Sequence, residues 1–417
     1  MNDECSTNKE VGNAGLYSAF FIRHSAFVRW ITIAIWTIAY FLLCGRTLVL
    51  KVDAHSVYAD FSGAGHHWLN SELLYKRGGA HEFRYSPLIA AFFVPFDLMP
   101  PRFGEFLWRS INFAAFIGGL YACCKVGLPR ALSTREICAV FLLCIPLAAG
   151  SLNNAQSNPL VLGLMLFAIA GAMRKQWTLC AISIAIATCF KLYPIALGLL
   201  LVLRFPWKLG WRLLVALSAA AVLPLLFQHA AYVIDQYTIW VQYLSSEDRQ
   251  RGPITDWYRD FRALWRVYVM PMRQQTYLMI QLAGAAAIAI SCLIAMVRKA
   301  PPGLWLAFTF SLACCWMTVL GPATESATYI LLAPSVAWGI VLSATDPKSR
   351  LSRIAYGIVL GLFVASQLAL NLGNTGKHFR DHLQPLPLAG TLLLVVVLIQ
   401  TIGSKSKLRM DDPPMTS

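Results

Sequence analysis

Residues 28–50, VRWITIAIWTIAYFLLCGRTLVL, decide the class of fold, since they form a long apolar segment with arginine only near its two ends. A helix needs about 20 such residues to cross the hydrocarbon core of a bilayer. Lipid offers no hydrogen-bond partners, so a crossing segment must satisfy its own backbone polar groups as a helix. Comparable runs predict an all-α polytopic membrane protein of about twelve transmembrane helices, at residues 28–50, 106–124, 136–151, 158–173, 177–190, 192–204, 211–229, 277–297, 303–320, 328–345, 353–371 and 385–403.

The composition argues against nucleic acid as a partner, although the basic charge of the chain first suggests it. The 417 residues carry a formal net charge of +15, which in a soluble chain would indicate nucleic acid. However, 57% of the residues are hydrophobic and only 13% are charged, about half the charged share of ordinary globular proteins. Much of the basic excess lies in short loops beside the apolar runs, where it controls topology. Membrane lipids, and not nucleic acid, are therefore the expected surroundings.

A polar loop, Tyr58–Pro87, follows the first span and has the sequence YADFSGAGHHWLNSELLYKRGGAHEFRYSP. Ionisable side chains next to a bilayer usually have a chemical role, and Asp60 is the catalytic candidate among them. His66 and His67, with Asp60 and His81, would be the natural ligands of a metal ion, but adjacent histidines diverge on a helix. The sequence therefore indicates no metal and no cofactor, although a need for a divalent cation stays open.

The segment 85–100 is apolar but short, and prolines interrupt it. If this segment lies along the membrane instead of crossing it, the basic turns between the spans all face one side. The positive-inside rule favours that arrangement and makes that side the cytoplasm. The basic residues that then fall together are Lys125, Arg130, Arg135, Arg174, Lys175, Arg204, Lys208, Arg212, Arg298, Lys299, Lys348, Arg350, Arg353, Lys405, Lys407 and Arg409.

Lys191 interrupts the apolar run 178–203 in the sequence Lys191-Leu192-Tyr193-Pro194. As one span, this run would bury the lysine at the bilayer midplane, which costs about 2.5–3.5 kcal/mol on insertion scales. Two short helices that turn at this sequence avoid the cost, and the proline favours such a break. A single helix with Lys191 facing a cavity is the alternative. The broken form predicts a cytoplasmic N-terminus (1–27), one transmembrane domain (28–403) with extracytoplasmic loops at 51–105 and 230–276, and a cytoplasmic tail (404–417).

The predicted topology collects the polar chemistry on the outer face. An external site for a lipid-borne substrate follows more naturally than a cytosolic nucleotide site, because no glycine-rich phosphate loop is present. Simpler roles are also open: segment 229–277 as an interfacial amphipathic helix, Lys191 as a lysine that extends to the surface from a helix end, and Glu325 as a helix cap. The polar groups are the loop 51–84, the turn 153–158 with Lys191, the segment 229–277 and the turn 321–326.

Short motifs accompany the spans in the order Asp60-Phe61, Leu74-Tyr75, Tyr85-Ser86-Pro87 before Pro100, Gln156-x-Asn158, Lys191-Leu192-Tyr193-Pro194 and a basic, tryptophan-containing turn at 204–212. By this order and spacing, over roughly residues 28–345, the chain resembles the bacterial membrane glycosyltransferases of family 87 in the GT-C superfamily. Those enzymes are polyprenyl-phosphate-mannose-dependent mannosyltransferases. One residue departs from the family pattern, since Ala155 stands where the family commonly has glycine before the glutamine. This departure puts a tight backbone turn at that position in question.

The resemblance implies a general base, and the chemistry of such a transfer gives a role to each other candidate residue. Asp60 matches the family's acid at the membrane edge and would be the general base of an inverting transfer, with Asp53 as the rival. Lys191 first, and Arg84 second, would stabilise the leaving phosphate, because cations favour the charge that develops there. The implied donor is a polyprenyl-phosphate hexose, the acceptor is a lipid or a glycan, and the site faces outward from the bacterial plasma membrane. The residues expected to hold sugar hydroxyls are Tyr85, Gln156, Asn158 and Glu325.

Two other classes of protein remain at this point. A transporter or flippase of a lipid-linked or small polar substrate would also place ionisable groups and broken helices in the membrane. Its usual internal repeats are not evident, and the richest polar cluster lies in a loop, so an enzyme is favoured. A scaffold protein without activity is the weaker alternative.

Overall fold

The computed structural model describes residues 26–49, 56–76, 82–246, 252–346 and 349–403. This part of the chain is built from α-helices, short 3-10 or π turns and loops, and it contains no β-strand. Proline often occupies the first turn, where its missing N–H has no helical partner in any case. The helices are α1 Ala26–Leu48, α2 Tyr58–Leu69, α3 Pro87–Asp97, α4 Pro101–Lys125, α5 Thr134–Asn153, α6 Asn158–Met173, α7 Trp177–Phe190, α8 Ile195–Arg204, α9 Trp211–Val222, α10 Ala230–Ser245, α11 Phe261–Tyr268, α12 Gln274–Val297, α13 Pro302–Cys315, α14 Ala333–Thr345, α15 Arg350–Leu368, α16 Gly373–Leu383 and α17 Pro385–Gly403.

The predicted all-α, multi-span architecture is confirmed. Every predicted span contains a helix, and eight helical stretches in the described residues are long and apolar enough to cross a membrane. The other four predicted spans are α4, which is longer and more polar than expected, and the shorter α6, α7 and α8. The predicted loops 51–105 and 230–276 also contain helices, namely α2 and α3 in the first and α10 and α11 in the second.

The predicted break at Lys191 is present, and it makes α7 and α8 a hairpin. Trp177, which begins α7, packs against Phe205, which directly follows α8, with ring centroids 4.6 Å apart. With 16, 14 and 10 residues, α6, α7 and α8 are about 24, 21 and 15 Å long, against about 30 Å for the hydrocarbon core. Because α7 and α8 are so short, the turn that joins them at Lys191 lies in a recess between longer helices.

Helix α3 lies along the end of the bundle that contains the Lys191 turn. The N–H of Ser86, just before α3, donates to the carbonyl of Cys189 near that turn, at 3.2 Å. At the other end of α3, the Phe96 carbonyl accepts from the hydroxyl of Tyr58, in the first turn of α2, at 3.2 Å. Eleven residues also span only about 16 Å. Residues 87–97 thus form a short helix along this end of the bundle, which agrees with the arrangement that the charge pattern favours, and its position relative to the membrane stays a prediction.

The basic turns meet at the opposite end of the bundle. Arg130 donates to Thr345 Oγ1 at 3.4 Å, and Arg298 donates to the carbonyl of Ile402. The guanidinium of Arg204 stacks 4.6 Å from the centre of the Trp305 ring. One end of the protein therefore concentrates positive charge, and the other carries the candidate site residues. Which side is cytoplasmic stays a prediction.

Glycines allow α4 and α6 to cross in close contact. A Cβ added at Gly163 would lie 2.2 Å from the Ala115 carbonyl oxygen, and one at Gly119 would lie 2.5 Å from the Gly163 oxygen. Small residues at such crossings let helix backbones approach and pack in lipid, where no hydrophobic effect drives helices together. This contact positions α6, which begins with the candidate site residue Asn158 directly after the turn that carries Gln156.

Replacing Gly163 with alanine should therefore destabilise the protein by about 1–3 kcal/mol, the usual cost of overpacking. Gly361 in α15 is the matched control, since an added Cβ there meets nothing within 4 Å. The alanine replacement at Gly361 should be neutral or stabilising by up to about 1 kcal/mol, because alanine is the better helix former. Thermal unfolding of both variants in lipid nanodiscs would measure the difference, and equal midpoints would contradict the proposed close contact.

Candidate active site

The floor of the site is the tight turn between α5 and α6. Ala155 has a φ of +52°, the left-handed conformation, so the turn expected from a glycine forms with alanine in its place. The Ala155 carbonyl accepts from Trp108 Nε1 at 2.8 Å, and the neighbouring Asn154 carbonyl accepts from the Val57 N–H at 3.1 Å. These bonds fix the turn against α4 and against the start of α2.

A larger side chain at Ala155 should disrupt this turn. Valine there should cost about 1–3 kcal/mol, since β-branched residues rarely adopt positive φ and the position is buried. The free energy of unfolding of the glycine variant should stay within about 1 kcal/mol of that of the natural chain. Glycine relieves the strain of the left-handed conformation. This gain offsets the lost methyl contact and the greater backbone freedom of the unfolded chain. Thermal midpoints of the two variants test this order, and a harmless valine would contradict it.

A buried ion pair supports the turn from below. In α4, Arg109 Nη2 and Nε donate to Glu105 Oε1 at 2.7 and 2.9 Å, and both side chains are 1% exposed. Arg109 Nη1 also donates to the carbonyls of Leu152 and Asn153 at 2.9 and 2.8 Å. A cation is favourable at the carboxyl end of a helix, where the last carbonyls lack helical partners. Arg109 therefore holds the end of α5 and, with it, the turn that follows.

A chain of hydrogen bonds runs outward from this turn. Tyr193 donates from its hydroxyl to Asn158 Oδ1 at 3.4 Å, Asn158 Nδ2 donates to Gln156 Oε1 at 2.6 Å, and Gln156 Nε2 donates to Glu325 Oε2 at 3.0 Å. Asn158 is fully buried, whereas the Glu325 side chain is 36% exposed. The chain thus links three segments that are distant in sequence and ends in a carboxylate open to the recess.

Arg84 faces the same carboxylate. Its Nη1 lies 3.8 Å from Glu325 Oε1 and 3.3 Å from the hydroxyl of Tyr258, and its Nη2 pairs with Glu82. The backbone is also held, because the Arg84 carbonyl accepts from Trp240 Nε1 at 3.0 Å. Two side chains from the segment 229–277 therefore take part in positioning Arg84, which an interfacial helix alone would not require.

Asp60 and Tyr85 lie on the α2 side of the cluster. Asp60 is in the first turn of α2, and the ring of the next residue, Phe61, packs on the Tyr85 ring with centroids 4.7 Å apart. Burial raises the pKa of Tyr85, Glu325 raises it further, the hydroxyl of Ser157 opposes the shift, and Asp60 adds to it. The carboxylates of Asp60 and Glu325 therefore both lie within electrostatic reach of this phenol.

Lys191 is at the turn of the α7–α8 hairpin. Its Nζ lies 5.8 Å from the centre of the Tyr193 ring. Burial lowers the pKa of Lys191, while Glu325 opposes that shift and Arg84 adds to it. This ammonium group is therefore within electrostatic reach of the pair that Arg84 forms with Glu325.

The structure brings the seven predicted site residues to one end of the bundle. Direct contacts join Arg84, Gln156, Asn158 and Glu325, and Asp60, Tyr85 and Lys191 lie close to them. The sequence had not assigned roles to the supporting residues Trp108, Tyr193 and Tyr258 or to the pair Glu105 and Arg109. The four-residue spacing of that pair within an apolar segment was the available signal.

The structure describes two of the three histidines considered as metal ligands, but not the rival general base. His66 pairs with Asp97 at 3.1 Å and His67 with Glu72 at 2.6 Å, so the two histidines turn to different partners. In the described ranges no three His, Cys, Asp or Glu side chains are placed to share a metal ion. The rival base Asp53 and the histidine at 81 lie outside the described residues.

An apolar groove adjoins the cluster. It has a volume of about 530 Å³ and lies between α8, α12 and α13, and its walls are almost entirely hydrocarbon. Leu192 and Tyr193, directly after Lys191, line one end of the groove, and Pro322, three residues before Glu325, lines it as well. A ligand with a polar head and a long apolar chain could therefore reach the cluster and the groove together.

Comparisons with known proteins identify the family. The model of glycosyltransferase family 87 matches residues 83–322, more than half of the chain. Among solved structures, ArnT from Cupriavidus metallidurans bound to undecaprenyl phosphate is 13% identical, with a TM-score of 0.41, and its apo state is 15% identical, with a TM-score of 0.42. Each alignment covers 89% of this chain and 77% of the other. No relative was found among curated proteins. The chain belongs to glycosyltransferase family 87 and is a multi-pass membrane glycosyltransferase.

Proposed function

We propose that this enzyme transfers a hexose, with mannose as the first candidate, from a polyprenyl-phosphate donor to a lipid or glycan acceptor. The transfer would take place on the extracytoplasmic side of the bacterial plasma membrane. The observation that carries the proposal is the direct continuity of the polar cluster with the apolar groove through Lys191, Leu192 and Tyr193. A polyprenyl chain in this groove would place its phosphate at Lys191 and Arg84. Membership in a glycosyltransferase family argues against the transporter and the inactive scaffold.

The charges in the cluster suit a phosphate leaving group. Lys191 and Arg84 bring two positive charges to a place where a phosphate gains negative charge as its bond to the sugar breaks. Glu325 holds Arg84 at 3.8 Å and accepts from Gln156, so the guanidinium is oriented before a substrate arrives. Gln156, Asn158 and Tyr85 offer the amide and phenol groups that bind sugar hydroxyls, and Glu325 offers an acceptor.

The proposed reaction is a single displacement. The acceptor hydroxyl oxygen forms a bond to the anomeric carbon while the bond from that carbon to the phosphate oxygen breaks. The proton of the hydroxyl passes to Asp60, and the electron pair leaves with the polyprenyl phosphate. One displacement inverts the anomeric centre, so a β-linked donor would give an α-linked product.

The sidedness of the proposal comes from charge. The basic turns lie at the end of the bundle opposite the site, and the positive-inside rule assigns that end to the cytoplasm. The site would then open outward, in the recess formed by the short helices α6, α7 and α8.

The test is transfer by the purified protein in nanodiscs, with a radiolabelled polyprenyl-phosphate hexose and a mixed pool of lipid and glycan acceptors. Mannose, glucose and galactose donors would be compared, and the anomeric form of the product determined by NMR. We expect label in an α-linked product from the mannose donor. Transfer from no hexose donor would overturn the proposed donor class, and a retained β-linkage would overturn the single displacement.

A further inference from the structure

A second cavity lies beside the cluster, on the other side of the loop that carries Glu325. It has a volume of about 620 Å³, within the usual range of ligand pockets. Unlike the apolar groove, it has many polar side chains among its lining residues. They come from the segment between α10 and α12 and from α12 itself: Tyr258, Asp260, Arg262, Arg273, Gln274 and Gln281.

Two residues connect this cavity with the proposed reaction site. Tyr258 lines the cavity, and its hydroxyl accepts from Arg84 Nη1 at 3.3 Å. Pro322 lines both the polar cavity and the apolar groove, so it stands between them. Helix α12 continues from one to the other, with Gln274 facing the polar cavity and Leu282 facing the groove. A hydrophilic ligand and a polyprenyl chain would therefore approach the cluster from separate spaces.

Internal contacts make the inner wall of the cavity rigid. Arg262 donates from Nε and Nη2 to the Met272 carbonyl at 3.2 and 3.0 Å, which ties α11 to the start of α12. Gln281 Nε2 donates to the Leu320 carbonyl at 2.5 Å. The buried Asp260 carboxylate accepts from the Ala263 N–H at 2.9 Å, and burial raises the pKa of Asp260 to about 7. This wall needs little reorganisation to receive a ligand.

The outer wall offers groups that suit a saccharide. Gln274 and Gln275, in the first turn of α12, line the cavity with amides that both donate and accept. Neither glutamine side chain has a hydrogen-bond partner among the described residues, and both are exposed. The phenols of Tyr258 and Tyr277 complete the wall. Amides and phenols can match the alternating donor and acceptor character of sugar hydroxyls.

We propose that this cavity binds the saccharide part of the acceptor. The assignment rests on the proposed function, because it takes the Arg84 and Lys191 cluster as the place of the donor phosphate and the apolar groove as the place of its chain. The acceptor is then a hydrophilic glycan that enters beside Pro322 and reaches the anomeric carbon past Tyr258.

The test measures binding separately from transfer. Protein in nanodiscs would be applied to an array of soluble neutral and acidic oligosaccharides, and its affinity for undecaprenyl phosphate would be measured in parallel. We expect wild type to bind a subset of the saccharides. The double variant Gln274→Leu with Gln275→Leu should bind that subset at least about tenfold more weakly, the effect of losing two ordinary hydrogen bonds. Its affinity for undecaprenyl phosphate should fall much less.

Gln176→Leu is the matched control, since Gln176 is an exposed glutamine at the start of α7, near the opposite end of the bundle. It should keep both affinities. Saccharide binding that is absent in wild type, or undiminished in the double variant, would overturn the proposal. A larger loss of undecaprenyl phosphate than of saccharide would also overturn it, by making the cavity the donor site. Saccharide binding without hexose transfer would instead speak against the proposed reaction and leave the cavity as a saccharide site.

Discussion

Replacing Asp60 with asparagine should lower hexose transfer by about 10²–10⁴-fold, the usual contribution of a positioned general base. Asparagine keeps the shape of the side chain and removes its ability to accept the proton of the acceptor hydroxyl. The position of Asp60 in the first turn of α2, within electrostatic reach of Tyr85, suits that role. The measurement is the rate of label transfer in nanodiscs at saturating donor, so that a change in donor affinity does not enter.

The matched control is Asp235→Asn, since Asp235 is an exposed aspartate in α10 that has no role in the proposed chemistry. It should transfer at the wild-type rate. Donor binding by the Asp60 variant should also persist, which separates loss of the base from loss of the fold. Transfer by Asp60→Asn within a fewfold of wild type would move the base to another carboxylate, with Glu325 and Asp53 the next to be tested.

Replacing Arg109 with methionine should destabilise the protein by about 3–5 kcal/mol, the cost of removing one partner of a buried ion pair. Methionine preserves much of the length of the side chain but leaves the Glu105 carboxylate buried without its cation. It also removes the donor to the carbonyls of Leu152 and Asn153, which should loosen the turn at Ala155. Thermal unfolding in nanodiscs measures the loss, and transfer activity should fall together with it.

A second variant separates the two causes. The double variant Glu105→Gln with Arg109→Met no longer buries an unpaired charge, although it still lacks the contacts to the carbonyls. It should therefore recover part of the stability that Arg109→Met loses. Arg353→Met, at an exposed arginine in α15, controls for the loss of a positive charge and should be close to neutral. If the double variant is no more stable than Arg109→Met, the carbonyl contacts carry the effect. A single Arg109 variant as stable as wild type would contradict the structural role of the pair.

Part of the candidate site could be predicted because several of its residues interrupt apolar segments or lie in polar turns between them. Lys191 was found because a lysine within an apolar run is costly in lipid, and the break it predicted is present. Gln156, Asn158 and Glu325 were found because they lie in polar turns between spans. The alanine at 155, in place of the family's glycine, put the turn in question, but the contacts of Trp108 and Val57 hold alanine in the left-handed conformation. Those contacts come from α4 and α2, which local sequence cannot reveal.

The sequence by itself determined the helices and the break at Lys191. Each follows from local composition. A segment in lipid must pair its own backbone N–H and C=O groups, and a charge within the bilayer costs free energy that depends on its depth. Only the tertiary structure decided that Arg109 would hold the end of α5, that Gln156 would reach Glu325, and that a polar cavity and an apolar groove would meet at Pro322. These features depend on how helices distant in sequence pack against one another. Side-chain partners and cavities are properties of that packing, and no single segment contains them.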